Sequence, residues 1–213
     1  MVKVLAISDK VVDGIYSPQV CERFGDIDLV LGCGDLPYSY MEFIATMLNV
    51  PCFFVHGNHD HPEYTARGGT LDAPGGWVNI DGRVVSSQGI VLAGLEGSIQ
   101  YNPGAPYQYT ETEMMLKIGA MMPALAINRA VHGRYVDILV THSPVFGILD
   151  GEDRAHRGFK AFIWFMRRFR PRLLLHGHEH LYGVQERRAQ YLDTEIVNVY
   201  PYHVVEWDVA PSA

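Results

Sequence analysis

The sequence predicts an α/β fold with largely buried sheets, and three observations support this prediction. Short apolar runs, several of them β-branched, recur along the chain, and each ends in polar residues. Segments with helical spacing of apolar residues alternate with these runs, which is the pattern of an α/β protein. The chain has 213 residues, enough for a large buried core, so we expect a single domain over residues 1–213.

The first half of the chain supplies several predicted strands and one helix. Residues 2–8 and 28–33 are apolar runs, each followed closely by an aspartate. Residues 39–48 begin with a serine that is suited to cap a helix. Residues 51–55 form the next predicted strand, and residues 85–95 form one or two more.

The second half begins with a loop over residues 97–109 that is rich in Gly, Pro and Tyr. Thr110 and Glu113 have the spacing of a capping box, which predicts the start of a Met-rich helix. A later helix is predicted from apolar residues spaced i, i+3, i+4 and i+7, namely Phe159, Phe162, Ile163 and Met166. The remaining predicted strands are residues 136–140, residues 172–175 and an antiparallel tail over residues 182–209.

Composition and charge argue against several classes of protein. Lys and Arg total 17 against 24 Asp and Glu, and the net charge of −7 argues against a nucleic-acid-binding surface. The three cysteines form no CxxC pair, which argues against a thiolate-zinc or disulfide framework and favours a reducing, cytoplasmic location. No 18 apolar residues run together, so we expect no membrane span.

Metal-type ligands follow several of the predicted strands. In α/β folds, polar groups at the carboxyl ends of strands line the ligand crevice. A mixture of carboxylate, amide and imidazole groups suits Mn²⁺, iron or Zn²⁺. Each motif alone has a simpler explanation as a helix cap, an Asn/Asp turn or a surface histidine. The motifs are Asp9, Gly34-Asp35, Gly57-Asn58-His59-Asp60, His142 and Gly177-His178-Glu179-His180.

Together and in this order, these motifs resemble the calcineurin-like metallophosphoesterase superfamily. Its signature is DxH, GDxx, GNHD/E, a histidine after a strand, and GHxH. Residues 94–114 and 142–158 also look like the corresponding segments of its small bacterial and metazoan members. The resemblance implies a β-sandwich of two sheets flanked by helices, with metal ions at the strand ends.

The resemblance also implies a set of ligands for two divalent metal ions. Manganese is the metal that it favours, with iron and zinc as alternatives. It assigns one metal ion to Asp9, Asp35 and His180. It assigns the other to Asp35, Asn58, His142 and His178, with Asp35 bridging the two.

The first motif departs from the signature at one position. Val11 stands where the DxH pattern requires histidine, and a valine side chain cannot bind a metal. If the strand stays extended, Asp9 and Val11 face the same way, so an apolar group replaces a ligand. We therefore expect the first metal site to be weakened and to fill only at high metal concentration.

The resemblance implies hydrolysis of a small phosphodiester, or of a phosphomonoester, by attack of a metal-activated hydroxide. His59 is expected to be the general acid, with Asp60 favouring its charged form, and His156 is expected to contact the substrate. Trp164 and Phe165 lie off the main apolar stripe of their helix and offer a face for a homodimer.

Two other functions stay open on the sequence. One is a non-catalytic protein-interaction scaffold with a partly degraded metal site, which Val11 favours. The other is a protein Ser/Thr phosphatase, for which the chain is short.

Overall fold

The computed structural model describes residues 1–64, 68–71, 73–181 and 186–208. Within these ranges the chain forms four helices, α1 (Val20–Phe24), α2 (Tyr38–Leu48), α3 (Glu111–His132) and α4 (Lys160–Phe169). The same ranges contain fifteen strands: β1 (Val2–Ile7), β2 (Leu29–Gly32), β3 (Cys52–Phe54), β4 (Glu63–Tyr64), β5 (Thr70–Leu71), β6 (Trp77–Asn79), β7 (Val84–Ser87), β8 (Ile90–Leu95), β9 (Ser98–Ile99), β10 (Gln108–Tyr109), β11 (Ile138–Thr141), β12 (Leu173–His176), β13 (Arg188–Tyr191), β14 (Thr194–Asn198) and β15 (Tyr202–Trp207).

The strands build two large sheets that are mostly parallel. The first has the order β15-β1-β2-β3-β6, in which β15 is antiparallel to four parallel strands. The second has the order β13-β14-β12-β11-β8-β7, with antiparallel strands at its two edges. Parallel neighbours need long crossover connections, which explains why helices alternate with strands along the chain.

Three apolar clusters arrange these elements in four layers. One cluster lies between the two sheets and includes Leu31 and Val140, both fully buried. A second packs α1 and α2 on the first sheet around Ile44, and a third packs α3 and α4 on the second sheet around Phe162. Fully burying such a side chain contributes about 1.5–3 kcal/mol. The predicted α/β fold, a two-sheet sandwich flanked by helices, is confirmed.

The first strand ends earlier than the sequence predicts. β1 stops at Ile7, and the chain turns at Asp9, whose φ is 61°. Because the backbone turns here, the alternation of an extended strand does not relate Asp9 to Val11, and that assumption was wrong. Val11 is instead partly buried against the apolar cluster of α1 and α2.

The structure also differs in part from the predicted helix starts and from the predicted C-terminal strands. α2 begins at Tyr38, one residue before the expected serine cap. The capping box of α3 is confirmed, because Glu113 N donates to Thr110 Oγ1 at 3.2 Å and Thr110 N donates to Glu113 Oε2 at 2.8 Å. In the tail, the predicted antiparallel pairing is found for β13 with β14 and for β15 with β1, whereas β14 pairs in parallel with β12. Residues 182–185 and 209 of the predicted tail lie outside the described residues.

The helices α3 and α4 cover the outer face of the second sheet. By length and composition alone α3 could cross a membrane, but this is weak evidence, because core helices of soluble proteins meet the same criterion. On α4, Trp164 is 39% exposed, whereas Phe165 is fully buried. The predicted dimer face was therefore wrong for Phe165. The residues that α3 buries are Met114, Ile118, Met121 and Leu125.

Candidate metal centre

The parallel strands of both sheets bring their carboxyl ends together at one end of the sandwich. Asp9 follows β1 in the first sheet, and His142 and His178 follow β11 and β12 in the second. Gly177 N donates to the His142 carbonyl oxygen at 3.1 Å, so these two strand ends lie side by side. The Asp9 carboxylate accepts the backbone N–H of His178 at 3.0 Å, which joins the two sheets at the site.

Three side chains form a compact cluster at this end. One donor atom from each of Asp35, His142 and His178 lies within 4.8 Å of the others. His142 is central, because its Nε2 is 3.3 Å from Asp35 Oδ2 and 3.0 Å from Asn58 Oδ1. His142, His178 and Asn58 are buried, so the cluster is largely shielded from water.

Backbone carbonyl groups orient the two imidazole rings. His142 Nδ1 donates to the Cys33 carbonyl oxygen at 2.8 Å, which leaves Nε2 facing the cluster. His178 Nε2 donates to the Ala155 carbonyl oxygen at 2.7 Å, which leaves Nδ1 as the nitrogen that can bind a metal. Such outer partners hold ligand rings in place and select the tautomer.

Tyr101 orients the Asn58 amide, a contact that the sequence did not reveal. Asn58 Nδ2 donates to the Tyr101 hydroxyl oxygen at 3.0 Å, so the amide oxygen points toward His142. The two residues are 43 positions apart. No local pattern connects a loop tyrosine to a strand-end asparagine over that distance.

Asp9 and His180 form a pair beside the cluster. His180 Nε2 is 3.7 Å from Asp9 Oδ1, and its ring is stacked on Tyr200 with the centroids 4.6 Å apart. Asp9, Asp35 and His178 have positive φ angles of 61°, 56° and 67°. Such backbone costs about 1–3 kcal/mol per residue and concentrates at functional sites.

The buried groups of the cluster shift one another's pKa values. Burial lowers the pKa of His142, but the Asp35 charge and hydrogen bond outweigh it and raise the pKa to about 9. Burial raises the pKa of Asp35, and His142 in turn holds it well below its ordinary value. Burial and the neighbouring His142 charge lower the pKa of His178 to about 3. The Asp35 carboxylate and the His142 ring thus stabilise each other's charged forms, whereas burial favours the neutral form of His178.

The residues at this end fit a divalent metal ion. Carboxylate and imidazole donor atoms of Asp35, His142 and His178 lie within 4.8 Å of one another, and the Asn58 amide oxygen is 3.0 Å from His142 Nε2. A mixed oxygen and nitrogen donor set of this kind suits Mn²⁺, iron or Zn²⁺. The predicted ligands at this end are Asp9, Asp35, Asn58, His142, His178 and His180, and which of them bind a metal stays a prediction.

Comparison with known proteins gives the family. The family model for calcineurin-like phosphoesterases matches residues 7–182. The chain belongs to this family. The matched span includes every predicted metal ligand, and a search of the curated proteins found no match.

Solved structures share the fold of this calcineurin-like phosphoesterase. One has 13% identity and a TM-score of 0.63, over 95% of this chain and 94% of that chain. TT1561 of Thermus thermophilus has 14% identity and a TM-score of 0.61, over 92% of this chain and 88% of that chain. Vacuolar protein sorting 29 from Cryptosporidium parvum has 15% identity and a TM-score of 0.45, over 93% and 73% of the two chains. At these identities, the first two similarities show the fold.

The Gly57-Asn58-His59-Asp60 motif of the family forms a tight turn against Asp35. Asp35 Oδ1 accepts the backbone N–H of His59 at 2.8 Å. Asp60 Oδ2 accepts the backbone N–H groups of Gly57 at 2.7 Å and Asp35 at 3.1 Å. Burial, followed by the Asp35 charge, raises the pKa of Asp60 to about 6. Through these bonds Asp60 stabilises the turn. Its predicted effect on the charge of the His59 ring stays a prediction.

The His59 side chain is exposed and lines a cavity of about 210 Å³ next to Asp35. The cavity wall also includes Pro37, Tyr38 and His61. The exposure of the His59 ring at this cavity does not test its role as general acid, which stays a prediction.

His156 lies beside the cluster on the loop before α4. Its ring centroid is 5.2 Å from that of His178, and its Nδ1 is 2.7 Å from Asp153 Oδ2. This arrangement brings His156 near the predicted ligands, and its contact with substrate stays a prediction.

A buried network of charged and polar side chains, which the sequence did not reveal, lies next to the turn that begins at Gly57. Glu96 Oε2 is 3.0 Å from His56 Nδ1, and Glu96 Oε1 accepts bonds from Tyr109 at 2.5 Å and Lys117 at 3.2 Å. Lys117 also pairs with Asp81 at 2.8 Å. The Glu96–His56 contact spans 40 residues, so no local motif indicates it.

This network predicts a specific pH dependence of stability. Burial raises the pKa of Glu96, but the bonds from His56, Lys117 and Tyr109 lower it to about 2, below its ordinary value of 4.5. The stability from this carboxylate is therefore present above pH 4.5 and is lost as the pH falls toward 2. We expect Glu96→Gln to lower the free energy of unfolding by about 2–3 kcal/mol near pH 7, and by less as the pH falls through this window.

Urea unfolding of the parent chain and the Glu96→Gln variant at several pH values measures the effect. Glu206→Gln, at an exposed strand position, is the matched control and should change stability little. A Glu96→Gln effect that stayed constant from pH 7 to pH 3 would contradict the prediction.

Proposed function

We propose that this protein is a metal-dependent phosphoesterase that hydrolyses a phosphodiester or, as the alternative substrate, a phosphomonoester. The observation that carries the proposal is the convergence of Asp35, His142, His178 and Asn58 at the strand ends of a calcineurin-like phosphoesterase. We further propose that the chain acts as one domain, in the cytoplasm, on a small phosphate-ester substrate.

Six residues would hold two metal ions, with manganese as the proposed metal. When bound, the metal ions would supply Lewis acidity that activates water and stabilises charge on the phosphoryl group. Asp35 would belong to both ligand sets, and its carboxylate is held in place by contacts with the His142 ring and with the backbone N–H of His59. One ion would take Asp9, Asp35 and His180, and the other would take Asp35, Asn58, His142 and His178.

The chain's own contribution would be orientation and proton transfer. Tyr101 and the Cys33 carbonyl group orient the Asn58 and His142 donors before any ligand arrives. His59, at the rim of the 210 Å³ cavity, would protonate the leaving oxygen. His156, on the loop before α4, would contact the phosphate ester.

A non-catalytic scaffold is the second candidate, and Val11 is the observation that favours it. Val11 packs against the apolar cluster of α1 and α2 and offers no donor to the first metal site. A protein that had lost hydrolysis could keep the fold while its metal site decays.

Hydrolysis of an aryl phosphodiester by the metal-stripped chain, titrated with Mn²⁺, separates the two candidates. We expect turnover to rise with metal, and Asn58→Ala to require about 10–100-fold more metal. Asn128→Ala, on helix α3, is the matched control and should titrate like the parent chain. Absence of turnover at every metal concentration, in folded protein, would overturn the enzyme proposal and favour the scaffold.

A further inference from the structure

A second cavity, of about 470 Å³, lies outside the proposed ligand set. It is bordered by the loop before α3 and by the loop before α4. Its lining residues are Ile99, Gln100, Thr110, Glu111, Arg154 and Arg157.

The loop before α4 brings the cavity next to the metal centre. Arg154 and Arg157 enclose Ala155 and His156 in the chain. The Ala155 carbonyl oxygen accepts a bond from the His178 ring at 2.7 Å, and the His156 ring is 5.2 Å from the same ring. Because successive Cα atoms are about 3.8 Å apart, both arginines begin within one residue of a group in contact with a predicted ligand.

Gln100, which lines the cavity on the side of the loop before α3, is also close in sequence to the metal centre. Gln100 directly precedes Tyr101, whose hydroxyl oxygen accepts the Asn58 amide N–H at 3.0 Å. The cavity therefore touches segments that orient Asn58 on one side and His178 on the other. A substrate with its ester at the metal centre could therefore reach this cavity along either segment.

The cavity is locally positive although the chain carries a net charge of −7. Neither the Arg154 nor the Arg157 guanidinium group forms a hydrogen bond or ion pair with any residue that the structure describes. The acidic group in the wall, Glu111, accepts the backbone N–H groups of Lys160 at 2.8 Å and Ala161 at 3.1 Å. These bonds at the start of α4 partly offset the Glu111 charge, so the two exposed guanidinium groups, which have no partner among the described residues, dominate the charge of the lining.

We propose that this cavity binds a second phosphate group of the substrate, so that the substrate class is a phosphoester that carries a further phosphate. Guanidinium groups bind phosphate oxygens through paired, charge-assisted hydrogen bonds, and two of them match the charge of one phosphate. The inference rests on the proposed function, since it places the scissile ester at the metal centre.

A double variant, Arg154→Gln with Arg157→Gln, tests the inference in turnover. The substrates are an aryl alkyl phosphodiester and the same diester with a terminal phosphate on its alkyl arm. We expect the double variant to raise the ratio of the two KM values, phosphorylated over plain, by about 10–100-fold. The matched control, Arg23→Gln with Arg170→Gln, removes the same charge from exposed positions and should leave the ratio unchanged. An unchanged ratio in the Arg154/Arg157 variant would overturn the inference.

A binding measurement decides the cavity's role without turnover. Tripolyphosphate is titrated calorimetrically into the metal-free full chain, where it cannot be sequestered by metal. We expect the parent chain and the control variant to bind, and the Arg154/Arg157 variant to bind about 10–100-fold more weakly. Equal affinity in all three, or no binding by the parent chain, would overturn the inference. If no diester is hydrolysed, the proposed function fails, but this titration still decides whether the cavity binds phosphate.

Discussion

A His59→Ala variant is expected to hydrolyse a phosphodiester with a poor leaving group about 10²–10⁴-fold more slowly than the parent chain. The His59 side chain is exposed at the rim of the 210 Å³ cavity, while its backbone N–H bonds Asp35 Oδ1 at 2.8 Å. Removing the ring therefore leaves the bond that holds the turn. Metal affinity should stay near the parent value, because the proposed ligands keep their partners.

The leaving group is the variable that reveals proton donation. A good leaving group departs without a proton, so the deficit of His59→Ala should grow as the pKa of the leaving alcohol or phenol rises. A series of aryl and alkyl phosphodiesters, measured at saturating Mn²⁺, gives this dependence, and calorimetry gives the metal affinity.

His61→Ala is the matched control for His59→Ala. His61 lines the same cavity, and its Nδ1 lies 3.1 Å from the His59 carbonyl oxygen. Loss of His61 changes the cavity to a similar extent but should leave the leaving-group dependence intact. Equal turnover of His59→Ala and the parent chain on the poorest leaving group would exclude the general-acid role, and a larger deficit in His61→Ala would transfer that role to His61.

The fold and the neighbourhood of the site could be predicted because their signals are local. Buried parallel strands are short apolar runs, and the polar residues that follow them lie at one edge by the geometry of parallel sheets. Asp35, His142 and His178 each follow such a run, and their donor atoms meet within 4.8 Å. The order of motifs along the chain then limits the family that can carry them.

Other features depend on contacts between distant residues, and no sequence pattern encodes those. The Tyr101 hydroxyl orients Asn58 from 43 positions away, and Glu96 reaches His56 from 40. Local backbone was also misjudged at Asp9, where a positive φ replaces the expected extended strand. A left-handed aspartate has no sequence marker comparable to a glycine.

The arginines of the second cavity illustrate the same limit. Arg154 and Arg157 lie on a polar loop, and an arginine there usually has an ordinary surface role. Their significance emerges only when the fold places them beside Gln100 and leaves Glu111 bound to the start of α4. The net charge of the chain is −7, so composition alone does not reveal a cavity in which the fold places two arginines together.

The strongest steric test of the site is Gly57→Ala, which should lower turnover by at least about 100-fold. A Cβ atom on Gly57 would overlap Asp35 Oδ1 and lie 2.7 Å from Asp35 N. The Gly57 N–H is also bonded to Asp60, so the turn cannot easily retreat. An alanine methyl group would therefore displace the Asp35 carboxylate, and a shift of about 1 Å in a catalytic group can cost about 100-fold in rate.

Protein stability separates this effect from unfolding. Overpacking costs about 1–3 kcal/mol, less than the roughly 5–15 kcal/mol typical of a folded domain, so Gly57→Ala should remain folded. Gly119→Ala is the matched control, because its Cβ would meet no atom within 4 Å and alanine favours the helix by up to about 1 kcal/mol. Urea unfolding, Mn²⁺ calorimetry and phosphodiester turnover are measured on both variants. We expect Gly57→Ala to lose metal affinity and turnover together while Gly119→Ala keeps both. Turnover of Gly57→Ala within about twofold of the parent chain would show that Asp35 tolerates displacement, and would contradict its role as the bridging ligand.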